Sequence, residues 1–455
     1  MARGLAEIMK KNELHLRAPK NWINDPNGFI YYKGKYHLFY QHFPYAPVWG
    51  TMHWGHAVSE DLIHWEHQDI ALYPTKAYDQ NGVFSGSALE IDGKMCLYYS
   101  AVKYLESDNE NIHMAKNDRY ETSQAMMISE DGIHFDNWSG KKQIIPVNRD
   151  DEKAHPTHTR DPKVWKEEDT YYMVLGSTYK EETGRAVFYT SRDGLNWEYK
   201  NQVCDERFGR ILECPDIFKV DGKYVFEGSA MYIADASCGY ENHAVCALAE
   251  FDPKQCRLSL TGELQYVDYG LDLYAPQTNL DQDGRRVMIA WMRMPKAVAE
   301  DDDSEWNGLM CQPRVIEVEE GHICYRVHPE VRKYFDTEVP NLGELDFSQP
   351  FCLNVELEEG EELDIGGYRI RRENGCVLAD RSEVFYGIKE YALTGKSPEI
   401  FGRCKLEIFV DRNLIETYIN DGSYVISHIV YGLGKKVETS KCRKPVLCFR
   451  HDPER

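Results

Sequence analysis

Short runs of alternating apolar and polar residues, each closed by a tight polar turn, recur along the first two thirds of the chain. From Phe29 such a run reaches Lys33-Gly34-Lys35 and resumes as Tyr36-His37-Leu38-Phe39-Tyr40. The design returns four times. Ala88-Leu89-Glu90-Ile91 turns at Asp92-Gly93-Lys94 into Met95-Cys96-Leu97-Tyr98-Tyr99, and Lys163-Val164-Trp165 turns through Glu167-Glu168-Asp169 into Tyr171-Tyr172-Met173-Val174-Leu175. Asp216 to Val220 turns at Asp221-Gly222-Lys223 into Tyr224-Val225-Phe226, and Thr278-Asn279-Leu280 turns at Asp283-Gly284-Arg285 into Val287 to Trp291. Period-two patterning with aromatic and β-branched residues around such turns predicts five β-hairpins.

A second repeat lies between the hairpins. Ser59-Glu60-Asp61-Leu62-Ile63-His64-Trp65 resembles Ser129-Glu130-Asp131-Gly132-Ile133-His134-Phe135 and Ser191-Arg192-Asp193-Gly194-Leu195-Asn196-Trp197. Each follows an apolar run and reads as a turn into a fourth strand. Five units of four strands, roughly sixty residues apart, predict an all-β chain whose first domain is a five-bladed β-propeller. After His328-Pro329 the pattern gives way to a polar connector and shorter strands, ending in a meander from Lys405 to Val430. The expected division is a propeller over 1–335 and a C-terminal β-sandwich over 336–455.

Composition narrows the function classes. A net charge of −22 disfavours nucleic acid or an anionic membrane as partner. Thirteen cysteines, an odd number without a Cys-x-x-Cys pair, argue against a disulfide framework and a zinc ribbon. Met1 to Leu14 has no apolar run of signal-peptide length, and no stretch approaches a transmembrane span. A cytoplasmic protein is expected. The oligomeric state is open, a homodimer being one alternative.

The acids fall at matching places in the repeat. Asp25 precedes Gly34 by 9 residues, Asp161 precedes Glu168 by 7, and Glu213 precedes Gly222 by 9. Ser85 and Tyr274 occupy the equivalent positions, 8 before Gly93 and 10 before Gly284. If each hairpin opens with its blade's innermost strand, these five positions share one end of a central channel. Unpaired carboxylates gathered there are costly unless they serve a purpose. Satisfaction of each acid by a local partner, such as Asp161 by Arg160, is the competing reading. The pairs His53/His56 and His64/His67 have metal-ligand spacing, but each sits by a Trp in a strand or turn and reads as structural. No metal and no cofactor is expected. Carboxylates in an aromatic-lined pocket suit glycoside hydrolysis, in which one acid protonates the leaving oxygen and another attacks or activates water.

The motifs Trp22-Ile23-Asn24-Asp25-Pro26-Asn27-Gly28, Phe84-Ser85-Gly86-Ser87, Arg160-Asp161-Pro162, Glu213-Cys214-Pro215 and Tyr274-Ala275-Pro276-Gln277 together resemble those of the invertase-type β-fructosidases, glycoside hydrolase family 32. The resemblance covers nearly the whole chain. It implies Asp25 as nucleophile, Glu213 as acid/base, and Asp161 with Arg160 as a fructose clamp that supports the transition state. It further implies sugar contacts from Asn24, Gln41, Trp49, Phe84, Ser85, Tyr274 and Trp291. The expected reaction is retaining release of a terminal β-D-fructofuranosyl residue from sucrose, sucrose 6-phosphate or short fructo-oligosaccharides. An exo-fructanase is the alternative, and a non-catalytic fructan-binding protein a more distant one. Met292-Arg293-Met294-Pro295 and Trp306-Asn307-Gly308, on the leaving-group side in the family, match no motif closely.

Overall fold

A computed structural model describes residues 14–233, 241–270, 272–301, 304–385 and 392–451. The signal-peptide reading of the N-terminus falls almost wholly on residues outside that set. The described chain is built from antiparallel sheets, with one short α-helix at Pro329–Tyr334. No described helix is long and apolar enough to cross a membrane.

All five expected hairpins are present. Asn21–Tyr32 pairs with Lys35–Phe43, Gly82–Ile91 with Lys94–Tyr104, and Arg160–Glu167 with Thr170–Tyr179. Ile211–Val220 pairs with Lys223–Met231, and Leu273–Leu280 with Arg286–Met292. At Lys33-Gly34, Asp92-Gly93 and Asp221-Gly222 both central residues have positive φ, the turn whose twist matches that of the flanking strands. The second repeat is a capped turn. Asp131 Oδ1 accepts from the amides of Ile133 and His134, each at 2.9 Å, and Asp61 and Asp193 do the same.

Each hairpin is the start of a separate sheet, extended by a third and fourth strand. The opening strand of each sheet touches that of the next, and the opening strands of the fifth and first sheets touch as well. Apolar clusters fill the interfaces between successive sheets: Phe39, Trp54, Leu97 and Met127 between the first and second, Tyr98, Met173 and Val187 between the second and third. Val174, Phe188, Phe226 and Val245 lie between the third and fourth, and Ile23, Phe29, Val287 and Ile289 between the fifth and first. One feature was not legible in the sequence. Val298–Asp301 and Ser304–Asn307 form a hairpin that leaves the fifth sheet and joins the first, Trp306 and Asn307 running parallel to Asn21 and Trp22.

Beyond the helix, two further sheets share a core of Leu353, Tyr368, Ile370, Ile408 and Ile415. Lys405–Asp411, Leu414–Ile419 and Tyr424–Ile429 pair consecutively, as the meander pattern predicts. Buried ion pairs fasten these sheets to the rest. Arg314 lies 2.9 Å from Asp268 and 2.7 Å from Glu416, while Arg381 grips Asp272. His15 bridges Asp411 and Glu416, each at 2.9 Å.

Candidate active site

The ladder between each opening strand and its partner slips near its start, and the first slips a second time between Asn27 and Ile30. The slips near the start fall at Asn24-Asp25, Ser85, Asp161-Pro162, Cys214-Pro215 and Ala275-Pro276. A β-bulge of this kind re-aims a side chain that would otherwise lie against a neighbouring sheet. Proline, which has no amide hydrogen to offer the ladder, follows the bulged residue in four of the five. Asp161, Cys214 and Ala275 have positive φ, at 63°, 45° and 52°, the kind of strained backbone found at functional sites. In the second sheet glycine takes the proline's place. A Cβ on Gly86 would stand 1.9 Å from the Tyr98 carbonyl oxygen, so no larger residue fits.

The re-aimed side chains line one cavity of about 350 Å³. Asp25, Asp161 and Glu213 meet there with Asn24, Gln41, Trp49, Phe84, Ser85, Arg160, Tyr274 and Trp291, which brings together every residue singled out above. Ser85 Oγ donates to Asp25 Oδ2 at 2.5 Å and accepts from Gln41 Nε2 at 2.8 Å. Trp22 Nε1 donates to Asn24 Oδ1 at 2.8 Å, which turns the Asn24 amide toward Asp25 Oδ1 at 3.1 Å. Asp161 Oδ2 accepts from the Cys214 amide at 2.9 Å. Aromatic rings frame the opening, with Trp22 edge-on to Trp291 and Trp49 edge-on to Phe84. Beneath the acids, Lys163 Nζ lies 2.8 Å from Asp216 and donates to the Thr278 carbonyl, tying three opening strands together.

The competing reading fails at Asp161. The Arg160 guanidinium does not satisfy Asp161. It donates from Nε and Nη2 to Glu213 Oε1, at 3.1 and 2.8 Å, and its Nη1 meets His158. Tyr274 Oη donates to the other Glu213 oxygen at 2.7 Å, so both oxygens of that carboxyl are held. The Cys214 thiol, overlooked as chemistry, spans Asp25 and Asp161 at 3.7 and 3.6 Å. Tyr104, Met114, Ala115, Asp118 and Tyr120 also line the cavity. They lie in an insertion without periodic signal and were not found from the sequence.

Burial pushes the Asp25 carboxyl up, and the nearby Glu213 charge adds to this against the hydrogen bonds from Ser85, Asn24 and Cys214. Burial also pushes Asp161 up, to about 7, against the Arg160 charge, and the Glu213 and Asp25 charges add to the rise. Asp25 and Asp161 together therefore hold protons far more readily than free carboxylates do. The paired histidines are structural: His56 stacks on Phe39, His64 bonds Asp61, His67 meets the Tyr40 hydroxyl, and His53 meets the Thr51 carbonyl.

Comparison with known proteins agrees with this architecture. Residues 15–329 match the model described as Glycosyl hydrolases family 32 N-terminal domain, and residues 336–442 match Glycosyl hydrolases family 32 C terminal. A raffinose invertase of Escherichia coli is 31% identical, over 92% of this chain and 88% of its own length. A sucrose-6-phosphate hydrolase of Escherichia coli is also 31% identical, over 94% and 90%. The solved structure of a Bombyx mori GH32 beta-fructofuranosidase superposes with a TM-score of 0.79 at 27% identity, covering 97% of this chain and 94% of that one. The chain belongs to glycoside hydrolase family 32.

Proposed function

We propose that the protein is a retaining β-fructofuranosidase acting on sucrose, sucrose 6-phosphate or short fructo-oligosaccharides in the cytoplasm. The observation that carries this is the convergence of Asp25, Asp161 and Glu213, from bulges on three sheets, in one aromatic-framed cavity. Family membership supports it, as does a variant of the Bombyx mori enzyme solved in complex with sucrose. The five sheets are read as the blades of one propeller over 1–335, with 336–455 as the sandwich.

In this reading Glu213, gripped by Arg160 and Tyr274, gives its proton to the leaving glycosyl oxygen. Asp25 then collapses onto the anomeric carbon as a covalent fructosyl ester, which water opens from the same face with Glu213 acting as base. Asp161 holds ring hydroxyls whose hydrogen bonds strengthen as positive charge grows on the sugar.

Initial rates of fructose release from sucrose, sucrose 6-phosphate, kestose and inulin test the assignment, with the first-formed anomer read by NMR. Fructose of retained configuration is expected, and Asp25→Asn abolishes its release. Inverted product, or undiminished turnover by Asp25→Asn, would overturn it.

A further inference from the structure

Residues 104–120 form the side of the cavity that the catalytic acids do not. Tyr104, Met114, Ala115 and Asp118 belong to the same lining as Trp291 and Tyr274. The segment is a built wall. Ser107 and Ala115 form a β-bridge, the Leu105 amide donates to the Arg119 carbonyl at 2.8 Å, and Tyr104 Oη donates to the His113 carbonyl at 2.8 Å. His113 is itself anchored to Thr51 Oγ1 at 2.9 Å. Met114 stays 40% exposed, and Leu105 and Ile112 beside it are more exposed still, which leaves an apolar ledge at the mouth.

The charges on this wall are sorted. Its two cations, Lys116 and Arg119, lie 2.5 and 2.7 Å from the two oxygens of Glu106. Asp118 is exposed and reaches the cavity from a backbone with φ of 51°, directly after Asn117 at the same φ. Among the described residues lining the cavity the acids are Asp25, Asp118, Asp161 and Glu213, and the one cation is Arg160. That guanidinium is committed to Glu213 and His158.

We infer that this wall contributes to the leaving-group subsite and that Asp118 makes it select an uncharged sugar over the same sugar bearing a phosphate. The inference rests on the proposed fructosidase reading and narrows it. An apolar ledge beside a carboxylate suits a glucosyl unit, whose C–H face lies on Met114 and whose hydroxyls donate to Asp118. A phosphate on that unit carries about −1.5 to −2 charge at pH 7. It would face Asp118 with the wall's own cations already paired, an arrangement that rejects one partner by like charge.

The test compares kcat/KM on sucrose and sucrose 6-phosphate, with methyl β-D-fructofuranoside as a substrate whose leaving group is too small to reach the wall. The wild-type protein should favour sucrose at least tenfold at low ionic strength, and by less at 0.5 M salt, because Asp118 is exposed and screened. Asp118→Asn should narrow the preference at least threefold, mainly by lowering KM for the phosphorylated sugar. Asp118→Lys should narrow it further, and melting curves of both variants check that they fold. Equal or better use of sucrose 6-phosphate by the wild type would overturn the inference, as would a ratio unmoved by both substitutions. No fructose from any of the three substrates would overturn the fructosidase reading, and this inference with it.

Discussion

Ser85→Ala separates two roles that Ser85 could have, contact with the sugar and control of the nucleophile. The hydroxyl is buried and donates to Asp25 Oδ2 at 2.5 Å while Gln41 Nε2 donates to it at 2.8 Å. A hydrogen bond to a charged group contributes about 1.5–3 kcal/mol. One pKa unit corresponds to about 1.36 kcal/mol, so losing this bond should raise Asp25 by about 1–2 units. Burial already raises that carboxyl, and Ser85 leads the interactions that oppose the rise, so the direction is upward. A nucleophile with a raised pKa is protonated, and inert, over more of the acid range. The acid limb of kcat/KM against pH, measured on sucrose from pH 4 to 8, should therefore move up by about 1–2 units. The loss of rate should be largest at low pH and shrink toward the plateau, where the more basic carboxylate is ionised again. Stability should fall as well, by about 1–3 kcal/mol, because the buried Gln41 amide loses its acceptor. An unmoved acid limb with the rate depressed equally at every pH would refute the reasoning, and would make Ser85 a sugar contact alone.

Asp161→Asn should stabilise the fold while lowering kcat. The native carboxyl titrates near 7 against an ordinary 3.8, so the native state holds a proton that the unfolded chain loses, and stability falls as pH rises through that window. Melting at pH 8 should show a Tm gain of about 2–4 °C, with almost none at pH 4; equal gains at both would refute it. His15→Gln should cost most at low pH, by the same linkage. Burial disfavours the imidazolium, but Asp411 and Glu416 overcome it and push His15 up to about 9. Its contribution is thus complete below about pH 6.5 and lost as pH rises through 9. Breaking this buried pair should cost about 3–5 kcal/mol at pH 6, and denaturant titrations should show the deficit shrinking above pH 9. Dialysis against a strong chelator should leave fructose release unchanged, since in the proposed mechanism carboxyl groups fill the acid, base and nucleophile roles; loss restored by one metal would contradict this.

Asp25, Asp161 and Glu213 were legible because hairpins of constant design put them at nearly constant distances from their turns. Counting back from a turn substitutes for a structure when strands repeat. What the count lacked was the bulge. The signal was there, as Asp25-Pro26, Asp161-Pro162, Cys214-Pro215 and Ala275-Pro276, since proline at equivalent points of successive strands marks places where the ladder cannot continue. The competing reading pairs Arg160 with its sequence neighbour, yet Asp161 has positive φ. The two side chains consequently diverge, and the guanidinium reaches the next sheet's Glu213. Asp118 and Met114 sit in an insertion whose shape is set by Glu106, His113 and Thr51, contacts that no periodicity encodes. Trp306-Asn307-Gly308 matches no motif for a related reason. Its partner is a strand at the far end of the chain, and a parallel pairing leaves no turn to read.

That late hairpin also sets the order in which the molecule can be made. At about 5–20 residues per second, Trp306 leaves the ribosome roughly 15–60 s after Asn21, the residue beside which it lies. Until then the nascent first sheet has an unpaired edge at Asn21 and Trp22, and such an edge can recruit other chains. Gly308, whose Cβ would stand 2.0 Å from the Ile23 carbonyl, has still to arrive against the segment that carries Asp25. The strand that carries Asp25 is synthesised first and enclosed late. Catalytic competence should therefore lag behind bulk strand formation during refolding, and slow translation or low temperature should widen that interval, when chaperones matter most to this chain.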